Sequence, residues 1–575
     1  MTRLTTTMLA PLGAVFVVAA CSSSDAPVAP GGDTTDGGGL ADGASGDETG
    51  TSADGGRPAD VDASGLTPPP PICAAPITLA DTSKPTTVVG TGTAASCTEA
   101  LLAAALTAGG IVTFSCGVAP TTITVTKTLA LPTDRDIVLD GEHKITLDGG
   151  AKVRILQYAH PDFRKNTHVL TLQRITLAHG HVAGIDPYAA APIPCSSGFY
   201  DGSGAALDMR DGVLHVIDST FLNNEAEKLG PDVGGGAIYL SGALNAVVVG
   251  STFTGNSGSN SGAIGSLNSD LDVYNSRFDG NAALGFGANS DDATKCSVVA
   301  KTNQHQVGSG GNAGAVGIDG GIDGMHTFCG VAFQGNKSGP GALGGALGRT
   351  SDAAKQTTVI DRCLFDGNTA DGGGALYFHN STLTVSASTF TNNVGKGVGT
   401  IQADGTTLDF TNVTFYGNHS SGSVGATLAL FGGGGKLLNC TFANNVCDAP
   451  NMFAAAIFGS PDLVIENTVF DGNTAQNPGA PMQCQVGTIT GSGNMQWPKA
   501  HANGGGADAL CAPGIDETAD PAVGALGDHG GPVPTALVGT GSPALAHGTG
   551  CPPTDARGHA RSSASCTAGA TEGPN

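Results

Sequence analysis

Short stretches of alternating apolar and polar residues recur along most of the chain. They include LHVIDSTF, LDVYNSRF and LTVSASTF, which end at Phe221, Phe278 and Phe390. Alternation with a period of two predicts β-strands that bury one face, and the flanking Gly and Asn residues predict turns between them. Because each stretch carries few apolar side chains, a single strand pair cannot bury its own face. We therefore expect many short strands that stack on one another.

Each alternating stretch ends in a Phe that is followed three residues later by Asn. The steps between successive pairs are 25 to 32 residues, with one step of 55. The pairs are Phe221/Asn224, Phe253/Asn256, Phe278/Asn281, Phe333/Asn336, Phe365/Asn368, Phe390/Asn393, Phe415/Asn418, Phe442/Asn445 and Phe470/Asn473. Such self-similarity is the signature of a solenoid, in which equivalent residues line up about 4.8 Å apart. We expect Phe365 in an interior column and Asn368 at a left-handed turn, with its amide bonded to the next coil.

A second motif, Gly-Gly-Ala followed by Leu or Ile, lies between the Phe-x-x-Asn pairs. In one coil, Gly373 and Gly374 are expected to form a sharp bend, and Ala375 and Leu376 to point inward. Each repeat thus holds at least two strands and two turns. The sequence predicts an all-β protein whose main domain is a right-handed parallel β-helix, a solenoid of the pectin-lyase-like type. We expect roughly twelve to fourteen coils and a length of about 55 to 65 Å.

We expect the β-helix to span residues 136–500 and to be capped at both ends, because an open end exposes strand edges. Residues 72–135 form the expected N-terminal helical cap. In it, Ser96 to Glu99 match a capping box before an amphipathic helix that stops at Gly109. Residues 501–575 form the expected C-terminal capping region and tail.

The N-terminal residues have the pattern of an exported lipoprotein. Residues 1–20 carry one Arg and then an apolar stretch too short to span a bilayer, which is typical of a signal peptide. The stretch ends in Val-Ala-Ala-Cys, which resembles a bacterial lipobox, so Cys21 is the expected site of lipid attachment. An ordinary signal peptide with a chance cysteine is the alternative. Residues 21–71 lack aromatic residues and are rich in Gly, Asp, Ser and Pro, so we expect a disordered tether.

The charge of the chain narrows the range of possible partners. The formal net charge is −24, of which −17 falls on the residues from Ile72 onward. Such an acidic chain repels nucleic acid and anionic lipid headgroups. We therefore expect no nucleic-acid partner, membrane contact through the N-terminal lipid only, and a monomer.

Fourteen cysteines in an exported chain predict disulfides. The expected pairs each bracket one local unit and are Cys97–Cys116, Cys484–Cys511 and Cys551–Cys566. Acylation of Cys21 leaves an odd number, so either one thiol is free or the lipobox interpretation is wrong. No Cys-x-x-Cys occurs, which disfavours a zinc site.

Two resemblances indicate a surface protein. The alternation of Phe-x-x-Asn with Gly-Gly-Ala resembles the repeats of chlamydial polymorphic membrane proteins, which are β-helical adhesins. The stretch from Asp520-Pro521 through VGALGDHGGPVPTALVGTGSPALAHG to Cys551 and TDARGHAR resembles the terminal region of "choice-of-anchor Q" bacterial surface proteins, with His529 where that pattern has Asn. The resemblance covers about Cys73 to Arg561. It implies a β-helix displayed at the outer membrane or cell surface.

Candidate catalytic residues are sparse. Asp208, Arg210 and Asp211 in LDMRDG bring two acids and a guanidinium close together, although a salt bridge at a turn is the simpler interpretation. His379 follows a Gly-Gly-Ala strand and either faces a groove or is exposed to solvent. The set of acids and bases typical of pectinases is missing, and so are phosphate-binding and dinucleotide-binding motifs.

Candidate metal ligands and structural ion pairs lie in two other segments. In GIDGGIDGMH, Asp319 and Asp323 lie beside His326, faintly like a calcium-binding turn, and a plain insertion-loop turn is the alternative. Near the C-terminus, Asp555 with Arg557 and Arg561 is most simply an ion-pair network in the cap. We expect no cofactor, and calcium is the one ion that the pattern allows.

These observations favour a lipid-anchored surface β-helix that binds or adheres without catalysis, to a glycan or another cell-surface ligand. One alternative is a polysaccharide lyase or hydrolase with its active site on a β-helix face. It requires acids and bases around Asp208 and Asp319 to converge on one face. The other alternative is a structural envelope protein.

Overall fold

A computed structural model describes residues 71–182, 202–228, 230, 233–287, 310–349, 356–422, 425, 427–459, 462–501 and 506–574. The expected signal peptide, Cys21 and the expected tether up to residue 70 lie outside the described residues. Cys195 and Cys296 also lie outside them.

The described part is built from long sheets in which every neighbouring strand is parallel. Sheet A contains Thr87–Val89, Gly110–Phe114, Ile137–Asp140, Val169–Gln173, Val213–Ile217, Asn245–Val249, Leu271–Tyr274, Gly324–Cys329, Gln356–Asp361, Thr382–Ser386, Thr407–Thr411, Gly434–Leu438, Asp462–Glu466 and Ile489–Thr490. Sheet B contains Thr121–Thr124, Ile145–Asp148, Thr176–Ala178, Thr220–Leu222, Thr252–Thr254, Arg277–Asp279, Ala332–Gln334, Leu364–Asp366, Thr389–Thr391, Thr414–Tyr416, Thr441–Ala443, Val469–Asp471 and Met495–Trp497.

Two further parallel sheets complete each coil. Sheet C contains Leu129–Ala130, Leu156–Ala159, Leu207–Arg210, Ile238–Ser241, Ile264–Leu267, Val316–Asp319, Leu347–Arg349, Leu376–His379, Ile401–Asp404, Leu428–Phe431, Ile457–Gly459 and Cys484–Gln485. Sheet D is short and contains Ser257–Gly258, Ala282–Ala283, Thr369–Gly372, Val394–Val398, His419–Ser420, Val446–Cys447 and Thr474–Ala475. Among the described residues, the chain visits A, B and C in turn, with a sheet D strand between B and C in seven coils, and then returns to A one strand higher. This arrangement confirms the predicted parallel β-helix.

The Phe-x-x-Asn repeat builds two columns inside the stack. All nine Phe rings stack on one another, and neighbouring centroids lie 4.6 to 5.1 Å apart. Each Asn carboxamide from Asn224 to Asn445 donates to the Asn of the next coil, as Asn368 does to Asn393 Oδ1 at 2.9 Å, and the last one, Asn473, donates to Gln483. The left-handed residue is not the Asn, however. The left-handed residue is the one before the Asn, such as Gly367 with φ +66°. Asn368 itself is fully buried, and its side-chain amide forms the hydrogen bonds of the ladder.

The Gly-Gly-Ala motif uses its two glycines for different reasons. Gly373 adopts φ +62° and forms the bend. A Cβ on Gly374 would lie 2.6 Å from the carbonyl carbon of Val394, so this glycine permits close approach of the neighbouring coil. Ala375 and Leu376 are fully buried, as the sequence predicts.

A tight turn joins sheet A to sheet B in every regular coil, and one residue of each turn has a positive φ. These turn residues form what we call the A–B edge, and they are Arg174, Asp218, Gly250, Asn275, Gly330, Arg362, Ala387, Asn412, Asn439, Asn467 and Gly493. The next residue points inward and forms a second ladder, in which Cys363 N–H donates to Ser388 Oγ at 3.0 Å. Cys363 and Cys440 occupy this ladder as buried free thiols. They therefore replace serine in a repeated structural position.

The N-terminal region contains the predicted helix, with a different cap. The α-helix spans Glu99–Ala108, and a 3-10 turn precedes it at Ala94–Ser96. The prediction that Ser96 caps the helix was wrong, because Thr98 is the N-cap and its side chain accepts a hydrogen bond from Leu101 N–H. Gly109 ends the helix with φ +71°. The strands on either side of the helix are the first two of sheet A, so the solenoid pairing extends into the region before residue 136.

Residues 72–82, which we call the strap, run along the A–B edge. At one end, Asn275 exchanges hydrogen bonds with Cys73, and Arg362 Nη1 donates to the Ile72 carbonyl at 3.1 Å. At the other end, Ala80 and Gln173 exchange two hydrogen bonds. A disulfide joins Cys73 to Cys329 across 256 residues of sequence. The sequence did not predict this pair.

The C-terminal region first covers the end of the stack and then returns along its flank. Asp508 accepts hydrogen bonds from the Met482 and Gln483 amides at 2.7 and 3.0 Å, which caps the last coil. Residues 520–574, the flank segment, then lie on later turns of the A–B edge. Asn412 Nδ2 donates to the Thr554 carbonyl at 2.9 Å, and Asn439 Nδ2 donates to the Thr567 carbonyl at 3.1 Å. The segment contains one antiparallel hairpin, Val523–Gly527 with Thr535–Val538.

Disulfides and buried charges fix both terminal regions. The three pairs expected from the sequence are all present, namely Cys97–Cys116, Cys484–Cys511 and Cys551–Cys566. Among the described cysteines, Cys363, Cys440 and Cys447 are free and buried. The predicted ion-pair network is also present, and Arg557 Nε donates to Asp555 Oδ2 at 2.9 Å. Arg561 is buried and bonds to Glu572 and to Asn412 of the A–B edge.

Candidate functional site

The outer side of sheet C, which we call the front face, carries most of the candidate residues. Burial alternates along its strands: in Leu207–Arg210, the Leu and Met side chains point into the core, whereas Asp208 is half-buried and Arg210 is exposed. In Ile401–Asp404, Gln402 and Asp404 point outward in the same way. Sheet C therefore presents one row of side chains per coil to solvent.

The structure gives the three residues of LDMRDG separate roles. Asp208 lies 3.8 Å from Arg154 and accepts a hydrogen bond from Gln157 at 3.3 Å. The Arg210 guanidinium lies over the Phe163 ring, 5.2 Å from its centroid. Asp211 has a fully buried side chain that accepts backbone N–H bonds from the loop at Lys165 and Asn166. This arrangement matches the structural interpretation more closely than a catalytic one.

The hydrogen bonds that Asp211 accepts favour its charged form. Burial acts to raise the pKa of its carboxyl, but the backbone N–H donors around it outweigh burial, and the pKa lies below the usual value. The charged carboxylate thus holds the loop in place.

The second candidate segment does not gather its residues either. Asp319 points to the front face and accepts a hydrogen bond from the Gly320 amide at 2.7 Å. Burial raises the pKa of its carboxyl. His326 lies on the next strand with its ring inside the solenoid, where it is 1% exposed. Asp319 and His326 thus lie on different sheets, and the charge of the buried Arg349 acts to lower the pKa of both.

Asp208 and Asp319 share the front face, but three strand-to-strand steps of sheet C separate them. At about 4.8 Å per step, that is about 14 Å. Paired carboxylates of glycoside hydrolases lie about 5 to 9.5 Å apart. The two candidates therefore do not form such a pair, and the convergence that the enzyme hypothesis requires is not observed between them.

One group of three possible metal ligands lies within 4.8 Å in the part of the chain that the structure describes, and it consists of Cys73, Cys329 and Asp361. The two cysteines form the disulfide of the strap. Asp361 also accepts a bond from Arg362 at 2.7 Å. These contacts explain why the three residues lie close together, since the disulfide joins the strap to sheet A.

A group of polar side chains lies together on the C-terminal half of the front face. Tyr377 pairs in register with Gln402, and His379 pairs with Asp404 on the next strand. Gln402 Nε2 donates to the Asp404 carboxylate at 3.2 Å, and the Tyr377 hydroxyl also bonds to it. Burial raises the pKa of Asp404, and these bonds only partly offset it. Of this group, only His379 was a candidate from the sequence.

Aromatic rings border this polar group. Phe431 pairs in register with Asp404 on the adjacent strand, and Phe458 lies one strand further on. The rings of Phe431 and Phe458 meet edge to face at 6.0 Å, and Phe453 meets Phe458 in the same way at 5.7 Å. All three rings are half-buried.

We call this set the front patch, and its members are Tyr377, His379, Gln402, Asp404, Phe431, Phe453 and Phe458. Most of them occupy the outward positions of the strands that the Gly-Gly-Ala motif introduces. That alternation is the sequence signal that identifies them, because the inward residues of the same strands are uniformly apolar.

The strap and the flank segment cover part of the A–B edge. The strap bonds to turns from Asp140 to Arg362, and the flank segment bonds to turns from Asn412 to Asn467. Both ends of the described chain thus lie on the same flank.

No helix in the described ranges is long and apolar enough to cross a membrane.

No protein-family model and no curated protein sequence matches this chain. The resemblance of the terminal region to choice-of-anchor Q proteins therefore stays a prediction. Among solved structures, the chain is similar to PfbA, a surface adhesin of Streptococcus pneumoniae, at 11% identity and a TM-score of 0.28. The match covers 69% of this chain and 86% of that one.

Proposed function

We propose that this protein is an exported, surface-displayed β-helix that binds a glycan through the front patch, without catalysis. The observation that carries the proposal is the juxtaposition of half-buried aromatic rings and hydrogen-bonding groups on the outer side of sheet C. Phe431 and Phe458 supply ring surface, and Gln402 and Asp404 supply polar groups.

The chemistry of the patch suits a sugar. The C–H faces of a pyranose pack on aromatic rings, while its hydroxyls bond to carboxylate and amide groups. Successive front-face residues are about 4.8 Å apart, so the patch is long enough for a few sugar units. Sheet C runs through twelve consecutive strands, which suits an extended chain.

The negative charge of the protein favours neutral glycans over acidic ones. The residues from Ile72 onward carry a net charge of −17, and Asp404 lies inside the patch. An acidic polysaccharide would be repelled unless cations bridged the two. We therefore assign a neutral glycan as the ligand, with no cofactor and no calcium.

The export part of the proposal rests on cysteine chemistry. Four disulfides within the described residues are typical of proteins that leave the cytoplasm. Acylation of Cys21 and anchoring at the outer membrane belong to the proposal, because they follow from the lipobox pattern alone.

A glycan array with the full chain carrying Cys21→Ser tests the proposal. We expect retention on neutral glycans, and no release of reducing ends from the same polysaccharides. Phe458→Ala and Gln402→Ala should each weaken binding at least tenfold, which corresponds to about 1.4 kcal/mol. Val118→Ala is the control, because Val118 is 95% exposed and lies far along the chain from the patch. Blank arrays, or turnover, would reject the proposal.

A further inference from the structure

The N-terminal end of the strap contacts the solenoid in the middle of the stack. Ile72 and Cys73 contact Asn275 and Arg362. In the strand order of sheet A, the strand before Arg362 is the ninth of fourteen, and the strand that ends at Cys329 is the eighth. The chain before residue 71 therefore joins the solenoid at mid-stack, although the first coils follow it in sequence.

The strap spans the stack in extended form. From Arg362 to Asp140 it passes six strand-to-strand steps of sheet A, which is about 29 Å. Residues 72–82 are eleven residues, which reach about 36 Å when fully extended. The strap is therefore close to fully extended. Tension applied to its N-terminal end reaches its contacts with the solenoid after little lengthening.

Two routes are open to such a pull. Through hydrogen bonds alone, it would act on Asn275 and Arg362, then on Gln173 and finally on the three-residue strand Thr87–Val89. These contacts lie in series, so they would fail one after another, each resisting with about 1 kcal/mol. Through the disulfide, the pull acts directly on Cys329.

Cys329 is the last residue of a strand that pairs with a neighbouring strand on each side. The strand Gly324–Cys329 pairs with Gln356–Asp361 over six residue pairs and with Leu271–Tyr274 on its other side. It lies in the interior of sheet A, so it cannot peel from an end. Gly330, directly after it, leaves room for the joint, because a Cβ there would lie 3.1 Å from the Ile72 Cβ.

We propose that the Cys73–Cys329 disulfide is a mechanical clamp. It passes tension from the chain upstream of residue 71 into the middle of the solenoid, and it shields residues 74–328 from that tension. The first seven strands of sheet A and the N-terminal helix then carry no load. The clamp goes beyond the proposed function, since it requires only that the protein be held by its N-terminal side and pulled elsewhere.

Single-molecule pulling tests the clamp on the full chain, with handles at its two ends. In the oxidised protein, residues 74–328 between the clamped cysteines cannot extend. In the double variant Cys73→Ser with Cys329→Ser, they extend and add hundreds of ångströms to the unfolded length, up to about 900 Å. We also expect a new phase of stepwise unfolding at low force, as the strap and then the first coils peel away.

The matched control removes a disulfide that lies inside the clamped loop. The double variant Cys97→Ser with Cys116→Ser should leave the extension of the oxidised chain unchanged. If the double variant at Cys73 and Cys329 fails to fold, adding a thiol reductant to the wild-type protein under constant force gives the same test. A long extension step should then follow cleavage.

Equal extension and equal unfolding force with and without the clamp would overturn the inference. So would a change caused by the control variant. Because no ligand takes part in the pulling experiment, its failure leaves the glycan-binding proposal standing, and the reverse also holds.

Discussion

Replacing Asn368 by alanine tests how strongly the buried asparagine ladder holds the coils together. The Asn368 carboxamide donates to the Phe333 carbonyl and to Asn393 Oδ1, both at 2.9 Å. Its oxygen accepts bonds from the backbone amide and the side-chain amide of Asn336, both at 3.0 Å. Alanine removes all four hydrogen bonds from a fully buried position.

The expected cost follows from these contacts. Each partner is left short of one hydrogen bond in a dry interior, at about 1 kcal/mol or more. We expect Asn368→Ala to lower the free energy of unfolding by about 4 kcal/mol. Because each coil contacts only its neighbours, the loss should concentrate in the coils from Phe333 to Phe390.

Hydrogen exchange is the appropriate assay, since a solenoid of this length need not unfold in one step. Amides in the coils around Asn368 should exchange faster, while amides near Asn256 should not change. The control is Asn392→Gly. Asn392 is exposed with φ +53°, and glycine occupies the equivalent position at Gly417, so this change should be nearly neutral. A loss below about 1 kcal/mol for Asn368→Ala would refute the ladder argument.

Three further predictions concern buried ionisable and thiol groups. Burial lowers the pKa of His326 to about 4, so unfolding should become easier as the pH falls from about 6.5 to 4, by about 3 kcal/mol, and His326→Gln should flatten this dependence in urea titrations. Burial raises the pKa of Asp471 to about 6, so Asp471→Asn should raise Tm at pH 7 but not at pH 4. Cys363→Ser should change the free energy of unfolding by less than about 1 kcal/mol, because Ser388 fills the equivalent position one coil on.

The regular part of the fold was predictable because its determinants are local and repeated. The Phe and Asn columns follow from one motif, and the pairs Cys97–Cys116, Cys484–Cys511 and Cys551–Cys566 each close a short segment. Errors arose where several residues compete for one backbone role. Ser96 and Thr98 both suit an N-cap, and Gly367 takes the left-handed angle that Asn368 would also tolerate.

The strap and the front patch were not predictable in the same way. The contact of Cys73 with Cys329 depends on how many coils separate the two residues, and long insertions obscure that number. The patch depends on which residues of adjacent coils share a row, such as His379 with Asp404. Register of this kind becomes visible only when the coils are stacked.

We propose that the front face binds a neutral glycan, whereas the strap and the flank segment occupy part of the A–B edge. Hydrogen exchange of the full chain with Cys21→Ser, with and without cellohexaose or chitohexaose, tests this claim most directly. We expect slower exchange in the strands Leu376–His379, Ile401–Asp404 and Leu428–Phe431 with at least one of these oligosaccharides, and no change along the strap. No protection with either one, or protection confined to the A–B edge, would contradict it.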